Sequence, residues 1–383
     1  METTPKMTSR AVTLDIQKAA GVADLEALLA RITAIPRETP LRLRVASTVE
    51  GGIFSDLWAA ILVGTAARHH RCEIVARGLK EIAPGSAFAS TPAFIATAGL
   101  ATAIAPEGGE PISRERARKY LATRHSGLVD PESGSAQALV EFDPDYPTAL
   151  VLRDRVGGPP MPPAIRSRLF QRLILDFRRR LEIGALRRRI DPQDQGPAGN
   201  LGKFLAELHE NAAEHGSRGP DGRSLPGSRT MRIKKHLANN KAQLLERCGS
   251  LALLSGYVAK ALPDGGKVGL VEASISDFGL GMVDGFLSTP AARTTHLRGR
   301  ELLEALVYER LSAKSSDPSA GLGIQKALES AQRMNGLVSL RTGEFWLAAS
   351  FADAAPGIRL ADVPGGPHPK VAGTHWQLLW LQP

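Results

Sequence analysis

The chain has 383 residues, more than one hydrophobic core usually serves, so its length predicts two domains. Hydrophobic residues make up 43% and charged residues 23% of the chain, a globular composition that excludes global disorder. The net charge of +9 would suggest a nucleic acid or an anionic membrane as partner. However, nine arginines fall between Arg166 and Arg189, so the excess charge belongs to one segment rather than to a general polyanion-binding surface.

Cysteine usage and hydropathy indicate the compartment. Cys72 and Cys248 form no CxxC pair, so neither a disulfide framework nor a zinc site is predicted, and a reducing environment fits best. The N-terminus has no apolar signal core, and apolar runs such as 57–67 are too short to span a bilayer. We therefore expect a soluble, cytoplasmic protein with no membrane partner.

The N-terminal third alternates between strand and helix patterns. Strands are predicted at 11–17, 41–48 and 72–79, and helices at 23–35, 54–70 and 91–104. Strands separated by helices of this length indicate a small α/β layer with helices packed on a sheet. No catalytic constellation stands out in this part of the chain.

Two breaks divide the chain. The stretch VGGPPMPP at 156–163 combines four prolines with two glycines, which neither a helix nor a central strand tolerates. A basic amphipathic helix is predicted over 164–190, either as a solvated connector, which is favoured, or as a nucleic-acid contact. We therefore divide the chain into an N-terminal domain (1–155), a linker with the basic helix (156–194) and a C-terminal domain (195–383).

A helix predicted from about Leu201 places Glu207 and Asn211 four residues apart on one face. An amide oxygen can coordinate magnesium and a carboxylate can orient an attacking water, although a solvated acidic face has the same spacing. His209 and His215 are six apart, not the four that a zinc protease needs. GNLGKF also lacks the spacing of a phosphate-binding P-loop.

Three further segments are candidates for nucleotide contacts, although taken alone the first is a common turn, the second is an ordinary helix entry and the third indicates almost nothing. A β-branched strand ends in Asp277, followed by FGLGM, where a carboxylate can accept from an exocyclic amine and glycines allow close approach of a flat ligand. SSDPSAGLGI at 315–324 is a small-residue loop that opens into a helix predicted over 324–334, and such a loop offers backbone N–H groups to phosphates. Thr374 begins a terminal apolar strand.

The order of these segments resembles the gyrase, heat-shock chaperone, histidine kinase and mismatch-repair (GHKL) superfamily of ATP-binding proteins. ELHENAAEHG at 207–216 is similar to the N box, SISDFGLGM at 274–282 to the G1 box, and SAGLGIQKA at 319–327 to the G2 box. GTHWQLLWLQP at 373–383 is similar to the strand that ends the family's core. The resemblance covers about residues 195–383, and the first motif is closest to that of the bacterial anti-sigma-factor serine kinases.

The resemblance implies a Bergerat-type ATP and Mg²⁺ site in an α/β fold of the α+β sandwich type, with a mixed sheet under helices. It implies that Glu207 is the general base or water-orienting residue, Asn211 the magnesium ligand and Asp277 the acceptor of the adenine amine. The other implied contacts are Gly279, Gly281 and Met282 at the adenine floor, Gly321, Leu322 and Gly323 at the phosphates, and Thr374 at the adenine end.

In the family, the segment between the G1 and G2 boxes is a mobile ATP lid, here about 285–320. Its Arg293, Arg298, Arg300 and Lys314 suit phosphates chemically, although solvated charges are the more common state of such side chains.

The output of the site stays open, because this superfamily hosts several functions. The chain has no histidine between His125 and His209, which disfavours a histidine kinase with its phosphoacceptor in cis. The N-terminal layer is weakly similar to the STAS-type domains of anti-sigma-factor antagonists. We therefore expect an ATP-binding, slowly hydrolysing, nucleotide-switched regulator with a protein partner. A protein serine kinase of the anti-sigma-factor type is the alternative, and a nucleic-acid remodelling ATPase the third reading. A homodimer is compatible with each.

Overall fold

The computed structural model describes most of the two predicted domains. The described residues are 11–83, 86, 88–122, 128–129, 136–143, 197–216, 227–262, 265–309, 311–312, 321–352 and 359–382. The Pro/Gly linker at 156–163, the basic helix at 164–190 and Lys314 lie outside them, so those predictions stay predictions. The chain is a mixed α/β protein with one parallel and one antiparallel sheet.

The N-terminal part forms a layer of parallel strands and helices, here called the parallel layer. Its strands, in the sheet order β1-β2-β3-β4, are β1 Val12–Ile16, β2 Leu41–Ala46, β3 Cys72–Arg77 and β4 Ala103–Pro106. Its helices are α1 Val22–Ala34, α2 Ser55–His69, α3 Pro92–Leu100 and α4 Arg114–Ala122. All three strand pairings are parallel, as the alternating strand and helix patterns predict.

The predicted C-terminal end of the third helix of this layer is wrong. The helix predicted over 91–104 stops at Leu100, and Ala103 begins β4. The backbone N–H and the hydroxyl of Thr102 both donate to the carbonyl oxygen of Cys72, at 2.9 and 2.7 Å, which ties this segment to β3. The uninterrupted apolar sequence does not show this change, because it has neither a helical nor a strand period.

The outer face of the parallel sheet carries paired charges. Alternation along β2 buries Leu43 and turns Arg42 and Arg44 outward. Arg42 pairs with Glu73 at 2.8 Å, and Arg44 pairs with Asp15 at 3.3 Å. These arginines therefore have carboxylate partners and do not form an unneutralised surface for a polyanion.

The second sheet has eight strands in the order β11-β10-β9-β12-β8-β7-β6-β5. Their bounds are β5 Leu128–Val129, β6 Ala136–Asp143, β7 Gly227–Ala238, β8 Val268–Asp277, β9 Leu337–Gly343, β10 Phe345–Ser350, β11 Ala361–Asp362 and β12 Val371–Gln382. Every pairing between the described strands of this sheet is antiparallel, so the predicted mixed sheet is wrong for them. Antiparallel neighbours need no connection that crosses from one end of the sheet to the other, whereas parallel neighbours do.

The domain boundary also differs from the prediction. Strands β5 and β6 lie within residues 1–155, yet β6 pairs with β7 over its whole length, from Ala136 opposite Lys234 to Asp143 opposite Gly227. The change from the parallel to the antiparallel sheet therefore falls between Pro106 and Leu128, earlier than the predicted boundary at 155. A proline-rich stretch marks where regular structure stops, but it does not show which sheet the preceding strand joins.

Helices cover the antiparallel sheet. They are α5 Pro197–His215, α6 Lys241–Glu246, α7 Ala252–Ala261, α8 Met282–Leu287, α9 Gly299–Tyr308 and α10 Gly323–Arg333, with a 3₁₀ turn at Pro290–Thr294. Another 3₁₀ turn, Phe88–Ser90, comes just before α3 in the parallel layer. On one face, α5 buries its predicted stripe of Phe204, Leu205, Leu208 and Ala212 against strand residues such as Ile275. Among the described residues, none of the helices combines the length and apolar character needed to cross a membrane.

The parallel layer packs on the other face of this sheet. One apolar cluster joins Leu43 of β2 and Trp58 of α2 to Leu270 of β8 and Leu379 of β12. Right-handed crossovers place the helices of such a layer on one side, so α1–α3 lie between the two sheets. Ion pairs cross the same interface, including Arg341 of β9 with Glu26 of α1 at 3.2 Å.

One ion cluster at this interface is deeply buried. Asp56 of α2 contacts Arg232 of β7 at 2.5 Å and Lys234 of the same strand at 2.7 Å. Arg232 also lies 4.0 Å from Glu272. The side chains of Asp56 and Arg232 are 11% and 7% exposed, so the charges compensate each other away from water.

Candidate functional site

The first part of the candidate site is built around Asp277, the last residue of β8. Its side chain is buried, and its Oδ1 accepts a hydrogen bond from the backbone N–H of Gly279 at 3.0 Å. Burial raises the pKa of Asp277 to about 6, against the opposing effects of backbone hydrogen bonds from Gly279 and Thr374 and of the charges of Arg229 and Arg68. The strand therefore ends in a carboxylate held in a partly dehydrated position.

Glycines allow the chain to close around this carboxylate. A Cβ at Gly279 would lie 2.1 Å from the carbonyl oxygen of Gly216, and one at Gly216 would lie 2.5 Å from Cγ of Asp277. Gly373, at φ +82°, approaches Asp277 so closely that a Cβ there would lie 1.9 Å from its carbonyl oxygen. These positions accept only glycine without movement of the backbone.

A threonine that the sequence analysis did not single out joins the turn after Asp277 to the terminal strand. Thr342 of β9 accepts from the backbone N–H of Met282 at 2.9 Å and lies 3.3 Å from the hydroxyl of Thr374. Thr374 in turn pairs with Asp277 across β12 and β8. Gly281 has a φ of +83°, and a Cβ at this position would lie only 3.0 Å from the hydroxyl oxygen of Thr342. We call Asp277, Gly279, Gly281, Met282 and Thr374 the Asp277 cluster.

The second part of the candidate site lies where α5 meets the start of α10. A Cβ at Gly323 would lie 3.1 Å from Oε2 of Glu207 and 3.5 Å from Nδ2 of Asn211. Glu207 and Asn211 therefore share one face of α5, as their spacing predicts. We call these three residues the Glu207 cluster.

Asn211 carries an unsatisfied polar atom. Its Nδ2 is buried and has no hydrogen-bond partner among the described residues. Rotation of the amide by 180° would place the carbonyl oxygen Oδ1 at this position. A buried amide in this state calls for a further partner, either a hydrogen-bond acceptor or, after rotation, a cation.

Helix α5 connects the two clusters. Asn211 lies one turn before the end of the helix, and Gly216, the next residue after α5, contacts Asp277. Gly321, at φ +80°, and Leu322 lead directly into α10, whose first residue is Gly323. All predicted site residues are described. The C-terminal half of α5 and the following Gly216 thus lie between Gly323, which approaches Glu207 and Asn211, and Asp277.

The segment predicted as a lid is more firmly packed than a mobile lid requires. Within α9, Leu303 and Val307 are buried in the main core under the sheet. Arg300 pairs with Glu304 at 2.8 Å and with Asp362 at 2.5 Å. The prediction of a lid over 285–320 is therefore corrected for 299–308, while residues 313–320 lie outside the described part.

Two other arginines of this segment line a separate surface cavity. Its volume is about 390 Å³, and its walls include Ser288, Thr289, Arg293 and Arg298. Arg298 also donates to the carbonyl oxygens of Thr295 and Leu297, at 3.1 and 2.7 Å. The residues that line the cavity include none from either cluster, so in this conformation these arginines do not complete the candidate site.

The chemistry available at the site is polar and oxygen-rich. Among the described residues, no group of three or more histidine, cysteine, aspartate or glutamate side chains could hold a metal ion. An amide oxygen and a carboxylate, as in Asn211 and Glu207, are the ligand types that hard cations prefer.

The chain matches no model of a known protein family, and no curated protein sequence matches it either.

Proposed function

We propose that this protein binds ATP with Mg²⁺ at the combined Asp277 and Glu207 clusters and works as a nucleotide-switched regulator of another protein. The observation that supports this most strongly is the position of Gly323. It brings the first residue of α10 against Glu207 and Asn211, which come more than a hundred residues earlier in the sequence. This convergence is what the resemblance to GHKL proteins implies for the phosphate end of their site.

Each cluster fits one part of the ligand. Buried Asp277 can accept a hydrogen bond from the adenine amine, and the glycines at 216, 279 and 373 hold the chain closely around that carboxylate. The unsatisfied amide of Asn211 suits magnesium through Oδ1, and the backbone N–H groups at the start of α10 suit phosphate oxygens. Bound Mg²⁺ would neutralise phosphate charge, and Glu207 would orient or deprotonate the attacking group.

Direct binding measurements test the proposal. We expect the full chain to bind a non-hydrolysable ATP analogue with Mg²⁺ in calorimetry, and Asp277→Asn to weaken that binding by about 1–3 kcal/mol, the cost of an unsatisfied buried polar group. Asp284→Asn is the matched control, because Asp284 is a surface residue paired with Lys370. Failure of the parent to bind would reject the proposed function.

Two variants in α5 separate metal binding from turnover. Asn211→Ala should abolish the gain in affinity that Mg²⁺ provides. Glu207→Ala should keep the affinity but slow any hydrolysis or transfer by about 10²–10⁴, the typical contribution of a general base. Glu210→Ala, on the same helix, is the control. Equal turnover by Glu207→Ala and the parent would remove Glu207 from the reaction.

The fate of the terminal phosphate distinguishes the outputs. Incubation with γ-labelled ATP and a host lysate should give bound, slowly hydrolysed nucleotide if the protein is a switch. A labelled protein would instead support the serine kinase alternative, and rapid DNA- or RNA-stimulated release would support a nucleic-acid remodelling ATPase.

A further inference from the structure

Helix α2 of the parallel layer reaches the back of the Asp277 cluster. Nε of Arg68 donates to the carbonyl oxygen of Phe278 at 2.8 Å, and Phe278 is the residue between Asp277 and Gly279. One helical turn earlier, Gly64 lies against the Phe278 ring, where a Cβ would be 2.2 Å from the nearest ring carbon. Both the main chain and the side chain of Phe278 are therefore held by one face of α2.

The same turn of α2 also forms a hydrogen bond with strand β12, which pairs with β8. The backbone N–H of Ala372 donates to the hydroxyl of Thr65 at 3.0 Å. Ala372 comes just before Gly373 and Thr374, which pack on Asp277 and pair with it. Gly64, Thr65 and Arg68, which lie within about one turn of α2, thus contact both segments that carry the Asp277 cluster.

These contacts tie the carboxylate to its turn. The backbone N–H of Gly279 donates to Oδ1 of Asp277, so the position of Phe278 between them fixes that hydrogen bond. Arg68 is also close enough for its charge to act on Asp277. The link crosses from the parallel layer to the antiparallel sheet, and 210 residues separate its two ends in sequence.

We propose that Arg68 is a positioning residue for adenine recognition, so that the nucleotide site is complete only when the parallel layer is docked. This inference rests on the proposed function. Movement of α2 away from the sheet would release the Asp277–Gly279 turn and reduce the preference of the site for adenine nucleotides. A protein partner that binds the parallel layer could regulate nucleotide binding by this route.

Two substitutions at position 68 separate the hydrogen bond from other roles of the side chain. Arg68→Gln keeps an N–H donor at the ε position, whereas Arg68→Met fills similar space without a donor. We expect Arg68→Met to bind the ATP analogue about tenfold to a hundredfold more weakly, the loss expected for a charge-assisted hydrogen bond, and Arg68→Gln to recover much of it. Arg71→Met, at an exposed position near the end of α2, is the control.

Selectivity distinguishes positioning from general destabilisation. Binding of inorganic tripolyphosphate with Mg²⁺ should depend on the Glu207 cluster alone. Its affinity for Arg68→Met should therefore equal its affinity for the parent. Equal losses for tripolyphosphate and the ATP analogue would show that the substitution only destabilises the fold. Unchanged ATP affinity in Arg68→Met would overturn the inference while leaving the proposed function intact.

A measurement without nucleotide keeps the two proposals distinguishable. Hydrogen exchange should be faster at the Gly279 amide in Arg68→Met than in the parent, with Arg68→Gln in between. Gly64→Ala should have a similar effect, because the new methyl group displaces the Phe278 ring. If the parent binds no nucleotide but exchange changes as expected, the proposed function fails and the structural role of Arg68 stands. Unchanged exchange in both variants would reject that role.

Discussion

Replacement of Asp56 by alanine should destabilise the protein by about 3 kcal/mol. Removing one partner from a buried ion pair costs about 3–5 kcal/mol, because the remaining charge loses its compensation. Here the cost falls at the lower end of that range for two reasons. Arg232 keeps Glu272 at 4.0 Å, and Lys234, with its side chain 20% exposed, can turn towards water.

Urea unfolding monitored by circular dichroism measures this loss. Arg42→Ala is the matched control, because its pair with Glu73 is 50% and 32% exposed and should contribute only about 0–1 kcal/mol. A loss in Asp56→Ala no larger than in Arg42→Ala would refute the reasoning that the interface charges are dehydrated and mutually dependent.

The pH dependence gives a second test of the same residue. Burial alone would raise the pKa of Asp56, but the charges of Arg232 and Lys234 outweigh burial and hold that pKa well below its usual range. A depressed pKa contributes stability above the unfolded pKa, near 4, and that stability is lost as the pH falls towards the folded pKa. The difference between Asp56→Ala and the parent should therefore shrink below about pH 4, and a constant difference would contradict this assignment.

Three further predictions concern the site and the core. Burial raises the pKa of Asp277 to about 6, so the stability of the parent protein falls as the pH rises from about 4 to 6. Without nucleotide, Asp277→Asn should therefore be more stable than the parent at pH 7.5, by up to about 3 kcal/mol, but not at pH 4. Equal urea midpoints at both pH values would contradict this. Gly279→Ala should lower the melting temperature and abolish binding of the ATP analogue. Gly285→Ala is the control, because no atom lies within 4 Å of its new Cβ, and it should leave binding unchanged and stability unchanged or slightly higher. Equal behaviour of the two variants would show that the close approach at Gly279 is not required. Burial raises the pKa of Cys72 to about 12 and that of Cys248 to about 11, so a thiol reagent should label both only in urea, and rapid labelling of the folded protein would refute their burial.

Local patterns predicted much of the fold and of the site. The apolar stripe of α5 fixed which face meets the core, so the common face of Glu207 and Asn211 followed from helical geometry. The β-branched run before Asp277 likewise predicted strand β8 and the position of the carboxylate at its end. Both inferences depend on residues within one element.

Features that depend on distant pairing could not be predicted. Arg232 and Lys234 alternate with apolar residues along β7, a pattern typical of a strand with one face in water, yet that face packs on α2. The sequence does not show that Asp56, 176 residues earlier, neutralises Arg232. Thr342 and Arg68 could not be predicted for the same reason, because neither belongs to a motif in its own segment. Each forms a hydrogen bond with the turn after β8, which is far away in the sequence.

The pairing of β6 with β7 affects how the protein can be divided experimentally. A fragment that begins at residue 195, the natural choice from the proline-rich break, would lack β6 and leave one edge of the twelve-residue strand β7 without its partner. Open strand edges of this length promote self-association, so such a fragment should aggregate. If the chain is instead divided within 144–196, β6 stays on one piece and β7 on the other, so both pieces should be needed to rebuild the antiparallel sheet.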